Sequence, residues 1–457
     1  MDGTVLNGED LYSLFTNGYR NLKQNASIVD ALNVFPIPDG DTGKNMSMTW
    51  LGGIENVDKD EKSAGKMAKA FSKGTLLSAR GNSGVILSQF VRGFSQGIKE
   101  LDVVTPPDFI LAMENASKKA YSAVVVPTEG TMLTVMRECI ENSGVQDSEY
   151  TDFTPLFEDI ISGMKKSLLN TPNILPCLAE AGVVDSGGAG LLYLFEGMNM
   201  ALQGNFIDES EIDDENVETP DEFFTPDSKR KMKIKKHVKY AIVAAASGEG
   251  MIEYFRNEGV LAVIDGGQTN NPSAKAFVDA FGSVDADHII VLPNDGNIIL
   301  TAKQAAKIFD PEKVHVIETK SMAEGYSAMS MVDYSLPTVD DLIHEMTHYL
   351  PNVTTGYITT ATRDANINGV DVKEGAYVGL TDDILSCDTD ITEAVLKMFA
   401  ALPDIDDKQV VTVFYGKGIT EEDALAIGDA LMEKYPLLEF GYINGKMDVY
   451  SYMFAIE

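Results

Sequence analysis

The chain has 457 residues, 44% hydrophobic and 23% charged, and 70 Asp and Glu against 36 Lys and Arg leave a formal charge of −34. Those proportions exclude a disordered or fibrous chain and allow about three domains, each with its own core. So negative a surface repels phosphate backbones and anionic lipid, which excludes nucleic acid as a partner, and no stretch is long and apolar enough for a membrane span.

The opening Met1 to Gly8 has neither a basic start nor an apolar run, so no leader is expected and the expected location is the cytoplasm. From Glu9 to about Gln203 apolar residues recur at spacings of three and four, as in Leu76-Leu77 through Val85-Ile86-Leu87-Phe90-Val91 and in Ile160-Ile161-Met164-Leu168-Leu169. The pattern predicts an all-α domain over 1–205 whose loops carry the glycine and aspartate clusters. Residues 206–236 are first sharply acidic and then basic, from Lys229 to Lys236, and read as a self-repelling linker. From Tyr240, short apolar runs at Ala241–Ala244, Leu261–Ile264, His288–Leu292 and Val314–Ile317 alternate with helical segments and predict a parallel α/β subdomain over 237–336. The remainder, 337–457, mixes strands such as Thr355–Thr360 and Val410–Tyr415 with helices near 391–402 and 420–434, and reads as α+β.

Three cysteines, Cys139, Cys177 and Cys387, never stand at C-x-x-C spacing, so neither a disulfide framework nor a zinc ribbon is signalled. All five histidines, His237, His288, His315, His344 and His348, lie in the second half. Chemistry in the first half therefore proceeds without imidazole. His344 and His348 stand one helical turn apart, a spacing that suits metal only with a third ligand.

Four segments of the first half can carry chemistry. Pro38-Asp39-Gly40-Asp41-Thr42-Gly43 places two carboxylates one residue apart, which suits magnesium shared with phosphate and equally suits an Asp-Gly turn. Lys73-Gly74-Thr75 to Ser83-Gly84 runs into an apolar helix and offers backbone N–H groups to an anion, or small residues to a close helix crossing. In Glu180 to Gly190, Asp185 or Ser186 can serve as an N-cap. Gly130-Thr131-Met132-Leu133-Thr134 is either an apolar wall for a base or plain core.

In this order and at these separations the four segments resemble the DAK2 domain, shared by the nucleotide-binding subunit of dihydroxyacetone kinases and the bacterial fatty acid kinase A subunit. The likeness covers nearly all of residues 1–205. The second half resembles the fatty acid kinase version, with its DegV-like region, through Gly248-Glu249-Gly250, Asp265 to Ser273, Leu292 to Asn297 and Ala361-Thr362-Arg363-Asp364. The loops at Gly248 and Asp265 each follow a predicted strand, the usual place for a ligand and also that of an ordinary turn.

The resemblance implies a helical barrel holding ATP and two magnesium ions at its open end. On that basis Asp39 and Asp41 are the catalytic metal ligands, and Thr42 and Asn45 lie near the phosphates. Asn82, Ser83 and Gly84 meet the β/γ region, Thr131 and Met132 approach the base, and Asp185, Ser186, Gly187 and Gly188 close the nucleoside end. Dihydroxyacetone kinases carry a third aspartate shortly before the pair; here Asn33 is the nearest oxygen ligand. In-line phosphoryl transfer by positioning and charge neutralisation follows.

The family's substrate is a fatty acid on a separate DegV-type binding protein, phosphorylated on its carboxylate to an acyl-phosphate, with the C-terminal region as docking module. Full-length members also carry a middle domain with a Cys/His metal site linked to dimerisation. Here the linker runs straight into Tyr240 with no cysteine between Cys177 and Cys387, so that domain is lacking; a homodimer is retained only as an expectation of the family. Two other readings stand beside this one: a kinase of a small hydroxyl compound, and a nucleotide-binding scaffold that transfers nothing, against which two retained carboxylates argue.

Overall fold

The helical spacing of the first 205 residues resolves into ten helices among the described residues: α1 (Gly8–Gln24), α2 (Ala26–Ala31), α3 (Thr42–Glu55), α4 (Ala64–Ser78), α5 (Gly81–Gly97), α6 (Pro106–Tyr121), α7 (Met132–Glu141), α8 (Phe153–Ile174), α9 (Pro176–Ala181) and α10 (Ser186–Leu202). The computed structural model describes residues 3–34, 40–141, 145, 149–208, 237–267, 270–362, 364–367, 370–381 and 383–457. Contacts divide the chain into two units, Met1–Glu222 with Gln268–Ala276, and Phe223–Gly267 with Phe277–Glu457. The segment 268–276, expected within an α/β subdomain over 237–336, thus belongs to the first unit.

Local sequence sets the helix starts. Asn7 and Asp10 form a capping box for α1, Thr105 and Asp108 another for α6 ahead of Pro106, and Asp152 caps α8. Each helix packs on the next, α3 on α4, then α5, α6, α7 and α8, with α8 on α10 and α10 on α1, which returns to α3. The ring closes as a helical barrel.

The apolar run from Leu76 to Val91 is broken rather than continuous. The left-handed backbone of Gly81 (φ 57°) and the extended Arg80 separate α4 from α5, so Lys73 to Ser78 end a helix instead of preceding one. Within that last stretch Gly74 serves the close helix crossing: a Cβ there would strike the backbone of Gly52 and Gly53 on α3. Residues 209–236, most of the expected linker, lie outside the described residues. Ahead of them Asn17 receives the Ile207 N–H and Arg20 donates to the Ile207 carbonyl, which ties the end of the barrel to α1.

The second unit contains β1 (Val238–Ala246), α11 (Glu249–Asn257), β2 (Ala262–Asp265), most of α12 (Ala274–Ser283), β3 (Ala286–Leu292), α13 (Ile299–Phe309), β4 (Val314–Val316), α14 (Met322–Ser330) and α15 (Val339–Thr347). It continues through β5 (Thr354–Thr360), β6 (Ala365–Ile367), β7 (Val370–Val372), β8 (Tyr377–Leu380), β9 (Ile384–Asp388), α16 (Ile391–Ala401), β10 (Val410–Tyr415), α17 (Glu421–Lys434), β11 (Glu439–Asn444) and β12 (Tyr452–Ile456). A parallel four-stranded sheet has the order β2-β1-β3-β4, and a mixed six-stranded sheet the order β11-β10-β12-β5-β8-β9.

Alternation along the strands explains how the two sheets share a core. On β12, Tyr452, Phe454 and Ile456 enter one apolar cluster with α16 and α17, while Met453 and Ala455 enter the other, with Tyr240, Ile242 and Ala244 of β1. A strand buried on both faces reads as a nearly continuous apolar run, as Val411–Tyr415 does, interrupted only by the buried Thr412. Among the described residues no helix is long and apolar enough to cross a membrane.

The barrel core centres on Phe15, Trp50 and Phe71, with Phe71 stacked 4.3 Å from Phe15 and edge-on to Trp50 at 4.9 Å. Replacing Phe71 by Ala is expected to destabilise the first unit by about 3–5 kcal/mol. Denaturant unfolding followed by the fluorescence of Trp50, the sole tryptophan, measures it.

Candidate functional site

Helix α3 begins directly after Asp41, whose backbone holds the N-cap place but whose side chain makes no capping bond. The cap comes from Asp30 instead: its Oδ1 accepts the Gly43 N–H at 2.6 Å and the Lys44 N–H at 3.3 Å. Asp41 is thereby left to point elsewhere. It is 8% exposed, and its Oδ2 accepts the Asn271 Nδ2 at 2.6 Å. The Asp30 carboxyl is pushed up to about 6, first by burial and further by the charge of Asp41, while the two N–H groups pull it down. Two carboxylates share this site, an arrangement a cation relieves.

Four helix N-termini meet here. Ser186 Oγ at the start of α10 donates to Thr42 Oγ1 at the start of α3, 3.2 Å away. A Cβ on Gly81, the first residue of α5, would stand 2.7 Å from Asn45 Nδ2, so that glycine lets α5 begin against the first turn of α3. The carboxylate of Asp185 accepts the Gly188 N–H at 2.7 Å and is also held by the backbone N–H of Met132, which joins the starts of α10 and α7. N–H groups converging in this way create positive potential at one end of the barrel.

Of the residues named from sequence, Asp41, Thr42, Asn45, Asp185 and Ser186 are buried at these helix starts, and Asn82, Ser83 and Gly84 form the first turn of α5. Asn33 is buried, its N–H on the Asp30 carbonyl. Asp39 lies outside the described residues. Thr131 spends its hydroxyl on the Thr128 carbonyl, and Met132 is core at 3% exposed. Gly84, Gly187 and Gly188 also serve packing, since Cβ atoms there would press on Thr49, Met132 and Val135.

Sequence reasoning missed Asp30, Arg80 and Asn271 as members of the site. Arg80 is buried, its N–H on Thr49 Oγ1 and its guanidinium on the Asn271 carbonyl. The Asp30 signal was available: a carboxylate ending the helix before the aspartate loop.

In the second unit the glycine loops are packing devices. Gly248 (φ 91°) and Gly250 lie against the backbone of 444–446, and the Met251 N–H donates to Gly445. Asn294 (φ 59°) donates from Nδ2 to the Ala245 carbonyl and exchanges hydrogen bonds with Thr319, so it fills the place between β1 and β3 where the strand order reverses. Arg363 lies outside the described residues. His344 and His348 have rings 5.8 Å apart, and among the described residues no group of three or more His, Cys, Asp or Glu could hold a metal ion.

Residues 36–200 match the profile of the DAK2 domain, and residues 241–457 that of the FakA-like C-terminal region of fatty acid kinase. Protein YloV of Bacillus subtilis (strain 168) is 33% identical over 553 aligned positions that cover 99% of both chains. Protein SAR1202 of Staphylococcus aureus (strain MRSA252) is 31% identical over 551, again 99% of both. Against 457 residues here, the 553-position alignment leaves at least 96 positions without a residue of this chain. Among solved structures, a fatty acid binding DegV family protein from Thermus thermophilus aligns with a TM-score of 0.36 at 11% identity, over 48% of this chain and 99% of that one. The dihydroxyacetone kinase from C. freundii in complex with AMP-PNP and Mg2+ aligns at 0.35 and 12%, over 48% of each chain.

Burial raises the Asp185 carboxyl to about 6, with the N–H groups of Gly188 and Met132 opposing. Its folded value exceeds the unfolded one, so the folded chain binds the extra proton between pH 4 and 6 and loses stability as pH rises through that window. Asp185→Asn keeps the acceptor and removes the charge. Relative to this variant the wild type should lose on the order of 3 kcal/mol between pH 4 and 7; unfolding at both pH values tests it, and parallel curves would refute it.

Proposed function

Because the chain belongs to the family of DAK2-domain proteins whose C-terminal region is that of the fatty acid kinase A-type subunits, we propose that it is the ATP-dependent kinase component for a fatty acid. The acceptor is the carboxylate of a fatty acid held by a separate DegV-type binding protein, and the product is an acyl-phosphate. Residues 1–205 serve as the kinase domain and 237–457 as the surface that receives the carrier.

One observation carries the reading: four helix N-termini converge beside Asp41, a carboxylate relieved of capping duty by Asp30. The donor set fits the expected groups, since the carboxylate of Asp41, the hydroxyls of Thr42 and Ser186 and the carboxamide of Asn45 are the hard oxygen ligands and phosphate partners that suit magnesium. When bound, ATP supplies the phosphoryl group and magnesium neutralises phosphate charge. Asp39 and Asp41 hold the cation. Asn82 and Ser83 present α5 backbone N–H groups to the phosphates, while Gly84, whose own N–H is donated to the Arg80 carbonyl, completes the first turn behind them. Asp185 fixes the starts of α7 and α10 so that their N–H groups stay aimed. With no histidine before residue 237, no phosphohistidine forms on this domain, and in-line transfer from ATP to the acceptor fits the site. The site acts by orientation and charge.

Calorimetry with ATP, with and without magnesium, tests the nucleotide site. Magnesium-dependent binding is expected in the wild type and not in the Asp39→Ala, Asp41→Ala double variant; binding that ignores magnesium, or none, overturns the site. The acceptor is tested by hydroxylamine trapping of acyl-phosphate from the chain, Mg·ATP and a fatty-acid-loaded DegV-type carrier. Phosphorylation of polyols without any acyl-phosphate would reassign the substrate to a small hydroxyl compound.

A further inference from the structure

Asn271 comes from the second half of the sequence, yet it stands in the first unit against the candidate cation ligand. Its side chain is only 3% exposed, and one arm, Nδ2, donates to Asp41 Oδ2. The other arm, Oδ1, is buried without a hydrogen-bond partner among the described residues. Buried side-chain polar atoms normally have at least one hydrogen-bond partner, and a carboxamide oxygen can accept two. A lone acceptor beside a carboxylate instead suits a positive ion.

We infer that Asn271 is a further oxygen ligand of the divalent cation, turning its carboxamide over when the ion binds Asp41. The inference rests on the reading of Asp41 as a cation ligand. An ion that approaches Asp41 from the side of Asn271 meets an N–H donor as the amide now stands and an oxygen once it is turned, Nδ2 being 2.6 Å from Asp41 Oδ2. Rotation about the last torsion exchanges Nδ2 for Oδ1 with little change of shape, and that torsion is broad and nearly two-fold. The backbone need not follow. Arg80 donates to the Asn271 carbonyl at 2.9 Å, and the Ala274 N–H donates to the Ala79 carbonyl at 3.1 Å, which fixes the segment on both sides of Pro272. Gly81 keeps the space open, since a Cβ there would stand 3.3 Å from Asn271 Nδ2. A neutral carboxamide completes the ligand set without adding a third negative charge beside Asp30 and Asp41.

Two variants of the full chain, Asn271→Ala and Asn271→Asp, test this by calorimetry and thermal unfolding. Asn271→Ala should bind Mg·ATP about tenfold or more weakly than the wild type. Asn271→Asp puts a second carboxylate against Asp41, so it should unfold at lower temperature than the wild type in EDTA and gain more than the wild type from magnesium. Equal or tighter Mg·ATP binding by Asn271→Ala would show that the amide is only a plug and overturn the inference. Should Asn271→Ala fail to fold, the magnesium response of Asn271→Asp decides, and a response no larger than that of the wild type overturns it. A wild type without magnesium-dependent ATP binding would instead sink the kinase reading itself.

Discussion

The N–H groups of Gly43 and Lys44 at the start of α3 find their acceptor in Asp30, thirteen residues back, and the rest of the site follows from that choice. Every helix begins with N–H groups that need partners, and the residue standing at the N-cap usually supplies one. Had Asp41 done so, its carboxylate would have been folded back on its own helix. With the cap supplied from α2, Asp41 faces the junction of α3, α5, α7 and α10, and Thr42 and Asn45 are placed where those helices start.

This division of labour also explains what could be read from the amino-acid sequence. The glycine and aspartate segments were legible because each sits at a helix start, where backbone chemistry restricts the residue type; Asp185 as the cap of α10 is the plainest case. Helix spacing showed the all-α first half, and strand-length apolar runs showed β1, β3 and β10. The break between α4 and α5 was obscured because Leu76 to Val91 keeps its apolar period across Arg80, and only the φ of Gly81 interrupts it. Asp30 and Asn271 were missed for another reason. Their roles depend on contacts across 13 and 230 positions of sequence, and no local pattern records such a partner.

The second unit uses its glycine and asparagine loops differently from the first. Where β1 and β3 part, an open sheet of this order offers a crevice, but here Asn294 closes it with bonds to Ala245 and Thr319. Gly248 and Gly250 let the chain at 444–446 approach within backbone contact. These residues tie the parallel sheet to the mixed sheet, and the shared apolar cluster from Tyr240 to Ala455 makes the two sheets one folding body.

The membership of Gln268–Ala276 in the first unit bears on how such a chain can be divided by evolution or by protease. The acidic stretch after residue 206 looks like a natural place to cut, and a fragment ending there would retain all ten helices of the barrel. It would nonetheless part with Asn271, a side chain from beyond that stretch that is bonded to Asp41. Gene fission at the obvious boundary would therefore separate Asp41 from its Asn271 partner, which gives selection a reason to keep both halves on one polypeptide.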